Sequence, residues 1–211
     1  MQTTPFPPPL IMAHRGGRFW TASNFSYIDE ARESGADIVE LDVRARGTEL
    51  IVQHDMRSSY QGVLRDALAR CEGADVFLDV KDRGVDIWRL LDLVKLSNVH
   101  SFIVGSFYAS VLRPLVGGGT TLAFSHIGIP APIPPAVASG ATWLSVPCWR
   151  FTPGLVQKCR EQNIKLSPWG NFQKNASERS QLRCAMLGAH SIATYDVRHL
   201  REIMKQQGIL S

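Results

Sequence analysis

The chain is short of cysteine, has no long apolar run and gathers its basic residues nowhere, and each shortage excludes something. Cys71, Cys148, Cys159 and Cys184 are scattered without a metal-type spacing, so free thiols in a reducing cytosol are expected. No stretch approaches the ~20 apolar residues of a membrane helix. The opening Met1-Gln2-Thr3-Thr4-Pro5-Phe6-Pro7-Pro8-Pro9 lacks a basic segment followed by an apolar one. No signal peptide is expected there, and a cytoplasmic location follows. Three adjacent prolines make those nine residues an extended lead-in. The net charge of +4 is mild and spread along the chain. No nucleic-acid track is expected, and an anionic small substrate accounts for the excess.

What is present points to one globular domain over residues 1–211. The chain is 45% hydrophobic and 20% charged, enough to fill a core. Short apolar runs alternate with amphipathic stretches. The runs 10–13, 38–43, 76–80, 102–105, 121–125, 143–146, 164–168 and 191–194 read as strands. Helical patterns cover 24–34, 63–70, 87–96, 109–115, 152–162, 178–187 and 197–207. Residues 130–139 are proline-rich and hold at most a short helical turn. A further strand, 49–53, follows the second without a helix and carries His54.

Eight strands separated mostly by helices predict a parallel sheet. Eight also closes a barrel, whose active site lies at the carboxyl ends of its strands. His14, Asp42, Lys81, Ser106, His126, Trp149 or Arg150, Asn171 and Asp196 all fall at or just after a strand end. An open doubly wound sheet would give the same alternation but not that placement. The expected fold is therefore α/β, a compact (β/α)8 TIM-type barrel.

The chemistry concentrates in the first 81 residues. Glu40 and Asp42 project from one face of an apolar strand, because side chains alternate along extended chain. Two buried acids are costly without a cation, and Asp79 on the following strand offers a third carboxylate. An all-oxygen set suits Mg2+ or Ca2+ better than zinc. The bland reading of these acids is an exposed face or an ion pair with Arg44. His14 and His54 each end an apolar run, and as a pair they could serve as base and acid. His100, His190 and His199 read as structural or surface residues. Arg15 and Lys81 are candidate anion clamps, or salt-bridge partners of the same carboxylates. Trp169 floors a pocket or packs in the core.

These segments resemble the glycerophosphodiester phosphodiesterase family. The resemblance is carried by Ile11-Met12-Ala13-His14-Arg15-Gly16-Gly17, by residues 35–43 around Val39-Glu40-Leu41-Asp42-Val43, and by Ile51-Val52-Gln53-His54-Asp55. It continues at Phe77-Leu78-Asp79-Val80-Lys81, Ile103-Val104-Gly105-Ser106-Phe107, Pro168-Trp169-Gly170-Asn171 and, loosely, Ile192-Ala193-Thr194-Tyr195-Asp196. The resemblance implies a TIM-type barrel that cleaves a phosphodiester with one divalent metal. By matching positions it implies Glu40, Asp42 and Asp79 as metal ligands and His14 and His54 as acid/base catalysts. Arg15 and Lys81 would grip the phosphate, and attack by a neighbouring substrate hydroxyl would pass through a cyclic phosphate.

Three departures accompany the resemblance. Ala22-Ser23-Asn24-Phe25 keeps the Asn of the usual Pro-Glu-Asn-Thr but not its Glu. Asp79 replaces the commoner Glu and looks like the Asp-x-Lys of sphingomyelinase D/phospholipase D toxins. The insert after His-Asp is nearly absent, which implies a reshaped pocket. The expected activity is phosphoric diester hydrolysis of a small phosphodiester, glycerophosphodiesters first. Sugar phosphodiesters of the opine type, lysophospholipids, and a catalytically silent barrel that only binds phosphate ligands are the alternatives.

Overall fold

Strand β1 (Leu10–Ala13) pairs in parallel with β2 (Ile38–Arg46) on one side and β10 (Ser191–Thr194) on the other, and that double pairing closes a barrel. The computed structural model describes residues 6–17, 25–54, 60–127, 133–170 and 174–211. Between β2 and β10 run β5 (Asp75–Val80), β6 (Ser101–Ser106), β7 (Thr121–Ser125), β8 (Trp143–Pro147) and β9 (Lys165–Trp169), all parallel. Two short antiparallel strands, β3 (Glu49–Val52) and β4 (Gly62–Val63), extend from β2 outside the closed ring.

Helices fill the intervals: α1 (Ser26–Glu33), α2 (Leu64–Arg70), α3 (Ile87–Lys95), α4 (Ala109–Leu112), α5 (Ile133–Ala138), α6 (Pro153–Glu161), α7 (Lys174–Met186) and α8 (Val197–Gln206). The expected (β/α)8 barrel is the observed one. Several starts follow from capping. Asp86 accepts from the backbone N–H of Trp88 and Arg89, Thr152 from Leu155, and Asp196 from His199.

Alternation along the strands divides the apolar residues into two cores. Ile11, Val39, Leu41, Leu78, Val80 and Val104 face the helices. Met12, Ile38, Phe77, Ile103, Ala123, Trp143 and Ala193 form a separate inner cluster, with Trp169 packed against it. Gly105 is required inside, because a Cβ there would lie 2.5 Å from the Phe77 ring.

The differences from expectation are local. The two-residue β4 is too short to leave a pattern. α7 begins at Lys174 rather than residue 178, and α4 gives way to a 3-10 turn at Arg113–Leu115, where Pro114 cannot continue the α-helix ladder. The proline-rich stretch does hold a short helix, since Pro134 and Pro135 occupy its first turn, where no N–H is needed. Met1–Pro5 of the lead-in, the Ala22-Ser23-Asn24 departure, Asp55 and Asn171 lie outside the described residues.

Candidate active site

Register brings the acids together. Asp42 of β2 and Asp79 of β5 are direct Cα partners, and Glu40 lies two residues deeper on the same inward face. All three are buried, and one carboxylate oxygen from each lies within 4.8 Å of the others. Among the described residues they form the one group of this make-up.

The chain leaving β1 turns sharply to serve this cluster. His14–Gly17 form a 3-10 turn in which Arg15 and Gly16 adopt left-handed φ of 53° and 69°. Gly16 permits it: a Cβ would sit 2.3 Å from the Tyr27 ring. The turn lets the Arg15 backbone N–H donate to Glu40 Oε2 at 2.5 Å, while Arg15 Nε lies 3.4 Å from Asp42 Oδ2. His14 Nε2 stands 3.8 Å from Glu40 Oε2. The Tyr195 ring stacks on the His14 imidazole at 4.6 Å and lies 5.9 Å below the Arg15 guanidinium.

Lys81 continues β5 past its last ladder pair, its N–H donating to Val43 at 3.0 Å. Its ammonium sits 2.8 Å from Asp42 Oδ1 and also donates to Asp79 Oδ2. His54 follows β3, and its carbonyl is clasped by Arg44 Nε and Nη2 at 3.1 and 2.9 Å. Arg44 therefore holds the histidine's backbone rather than pairing with Glu40 or Asp42.

Burial and crowding set the charges. Burial, reinforced by Asp42, raises the Glu40 carboxyl well above the usual carboxylate range. Burial would raise Asp42 too, but Lys81 and the two imidazoles prevail and hold it at about 2. Burial pushes the His14 imidazole down to about 3, with Arg15 and Lys81 adding to the effect and Asp42 opposing it. Burial works against the Lys81 ammonium, yet Asp79, Asp42 and Glu40 raise it overall.

A cavity of about 430 Å³ opens at this end of the barrel. His14, Arg15, Glu40, His54, Asp79 and Lys81 line one side, with Tyr195 stacked on His14, and Phe107, Ser125, Ile127, Ser145 and Trp169 line the other. Asp42 does not line it, being covered by its partners Arg15 and Lys81. Arg15 and Lys81 are thus salt-bridged to the acids while still facing the cavity. Trp169 both lines the cavity and packs on the inner core.

Other residues just past strand ends serve the scaffold. Ser106 donates to the Val80 carbonyl, Asp196 caps α8, and Trp149 is exposed beside Arg150. His126 stacks on the outward-facing Phe124 and is absent from the lining, whereas its neighbours Ser125 and Ile127 are in it. His100 pairs with Asp75 and His199 with Glu178, and His190 accepts from Leu166 N–H. All four cysteines are free and buried. Phe107, Ser125, Ile127, Ser145 and Tyr195 were not singled out as site residues from sequence. Period-two counting through β6 to β8 is the signal that finds the first four.

The carboxylates fit a hard divalent cation on one internal observation. Asp79 Oδ1 is buried without a hydrogen-bond partner among the described residues, which leaves a carboxylate oxygen available to a cation.

No protein-family model matches the chain, and no curated protein sequence matches it. Solved structures do. A putative glycerophosphodiester phosphodiesterase from Galdieria sulphuraria superposes with a TM-score of 0.81 at 17% identity, covering 95% of this chain and 99% of its own. A glycerophosphodiester phosphodiesterase from Parabacteroides distasonis gives 0.79 at 15% identity, covering 96% and 99%. A phosphodiesterase from Oleispira antarctica, solved with its product sn-glycerol-3-phosphate, gives 0.77 at 16%, covering 94% and 97%. At such identities the likeness is one of fold, and the barrel is the one these proteins carry.

Proposed function

We propose that this chain is a metal-dependent phosphodiesterase that hydrolyses a small phosphodiester, with glycerophosphodiesters as the first substrate class. The observation that carries the reading is the convergence of Glu40, Asp42 and Asp79 within 4.8 Å, beside a cavity that His14 and His54 both line. The shared fold supports it, as does the phosphate-ester product held by the Oleispira antarctica protein.

Glu40, Asp42 and Asp79 are the residues that would hold the ion, Mg2+ or Ca2+. When bound, it supplies Lewis acidity and charge neutralisation for the phosphoryl oxygens. His14 is kept neutral by burial, so its imidazole is suited to take the proton of the attacking hydroxyl. His54 gives a proton to the departing alkoxide. Arg15 and Lys81, already beside the acids, present N–H groups to the phosphate as negative charge builds. If the attacking hydroxyl belongs to the substrate, the same proton transfers yield a cyclic phosphate. Trp169 gives the substrate an aromatic face. A cytoplasmic site of action belongs to the same proposal, supported by four free buried thiols.

The test follows a glycerophosphodiester by ³¹P NMR with Mg2+ or Ca2+ present. Conversion to a monoester or cyclic phosphate is expected. Chelation with EDTA should stop it and added metal restore it; turnover that survives chelation would sink the metal-dependent reading.

A further inference from the structure

The two histidines proposed for the chemistry are anchored differently. His14 follows β1, a strand of the closed ring, and its imidazole is stacked on Tyr195. His54 follows β3, which lies outside the ring and pairs with β2 and β4. The register of the barrel therefore does not by itself set the distance from His54 to Glu40, Asp42 and Asp79. The Gln53 N–H continues the β2–β3 ladder one residue past β3, donating to the Asp42 carbonyl at 3.0 Å.

Beyond that bond a side chain takes over. Arg44 stands two residues past Asp42 on the same face of β2, and its Nε and Nη2 both donate to the His54 carbonyl, at 3.1 and 2.9 Å. Its remaining nitrogen, Nη1, faces Asp82 Oδ2 at 3.6 Å. Asp82 directly follows Lys81 at the exit of β5 and is itself fixed by backbone. The Ala45 N–H donates to its Oδ2 at 3.4 Å and the Gly84 N–H to its Oδ1 at 3.0 Å. At 16% exposure the Arg44 side chain is largely withdrawn from water, where such contacts hold their geometry better than a surface pair does. These contacts run from the exit of β5 through β2 to the exit of β3, and so refer His54 to the two strands that carry the acids.

We infer that Arg44 and Asp82 are positioning residues for His54, holding its backbone where the imidazole can reach the oxygen of the departing group. The inference rests on the proposed phosphodiesterase reading, with His54 as its proton donor. A lysine at position 44 could not substitute. Its ammonium is a point charge, whereas the guanidinium presents two N–H groups to one oxygen and a further nitrogen to a carboxylate. Proton donation depends on such placement, because a general acid must come within hydrogen-bond reach of the atom it protonates. Neither Arg44 nor Asp82 lines the cavity, so their influence on the reaction has to pass through the histidine.

The experiment compares two diesters with Mg2+ or Ca2+ present. Either alkoxide leaving from glycerophosphocholine needs a proton, whereas p-nitrophenolate leaves the p-nitrophenyl diester of glycerol phosphate as a stable anion. Arg44→Lys, which keeps the charge and loses the fork, should lower kcat on glycerophosphocholine by about 10- to 100-fold. On the p-nitrophenyl diester the fall should stay within about threefold, because no proton donor is needed. KM for each should hold within about twofold, since neither residue meets the substrate. Asp82→Asn should show the same selectivity in weaker form, about 3- to 10-fold. His54→Ala is the reference, selective in the same sense and more severe. Circular dichroism checks folding, and the partly exposed Asp82 keeps the test open should Arg44→Lys not fold. Equal losses on the two diesters, or wild-type rates from both variants, overturn this inference and leave the phosphodiesterase reading standing. A His54→Ala protein that loses no more on glycerophosphocholine than on the p-nitrophenyl diester removes His54 as the proton donor and this inference with it. A wild-type chain that hydrolyses neither diester overturns both the inference and the reading beneath it.

Discussion

The β1–β2–β5 side of the cavity and the β6–β10 side are built from the same strand–helix unit, yet they are held in shape by different forces. On the first, Asp42 touches Arg15 and Lys81, Lys81 also touches Asp79, and Glu40 takes the Arg15 backbone N–H. Each acid is tied to at least one buried hydrogen-bond or ion-pair partner, and Lys81 is shared between two of them. On the second, Ser125 and Ser145 are placed by the pairing of β7 and β8, while Phe107 and Ile127 lie just past strand ends and are exposed, and no ion pair ties any of the four among the described residues. The charged side should be intolerant of change in both activity and stability. The other should yield in small steps, and mainly in substrate preference.

The largest test removes an imidazole. His14→Ala and His54→Ala should each reduce kcat by about 10²–10⁴-fold while circular dichroism shows the barrel intact. Stopped assays under saturating metal measure this, and wild-type rates from either variant would take that histidine out of the chemistry. Next, Lys81→Met takes the shared ammonium from Asp42 and Asp79, leaving Asp42 only Arg15 and Asp79 no cation among the described residues. A loss of about 3–5 kcal/mol in denaturant unfolding is expected without metal. Millimolar Mg2+ should recover more of that loss than it adds to the wild type, because the cation then replaces the missing ammonium. Equal gains from Mg2+ in both proteins would mean that the acids do not share an ion. The smallest effect belongs to the opposite wall. Ser145→Ala should cost no more than about 1 kcal/mol of stability and less than about tenfold in kcat/KM. A collapse comparable to that of Lys81→Met would erase the distinction between the two sides.

The charged side was legible in the sequence for a simple reason. Glu40 and Asp42, like Asp79 and Lys81, are anomalies within apolar strands, and each anomaly names its own face. The resemblance through the His-Arg, Glu-x-Asp and His-Asp segments pointed to the same residues. The β6–β10 wall is made of Phe, Ser and Ile, which are ordinary in any strand, so only closure of the barrel distinguishes inward from outward. That is why His126, the more chemical-looking residue, drew attention while its neighbours Ser125 and Ile127 line the cavity. The stack of Tyr195 on His14 was equally hidden, since it depends on β1 and β10, 181 positions apart in sequence at that contact, pairing to close the ring.

The left-handed bend at Arg15–Gly16 couples the interior to the outer layer of helices. The ring of Tyr27, on α1, fills the space where any larger residue at position 16 would put its first carbon. The same phenol is anchored to Gln61 by a 2.8 Å hydrogen bond, beside the short strand pair outside the ring. A change to Tyr27 or Gln61, neither of which reaches the cavity, can thus be felt as a shift in the gap separating an imidazole from a carboxylate. Selection for altered catalysis in this chain need not act on the mouth at all.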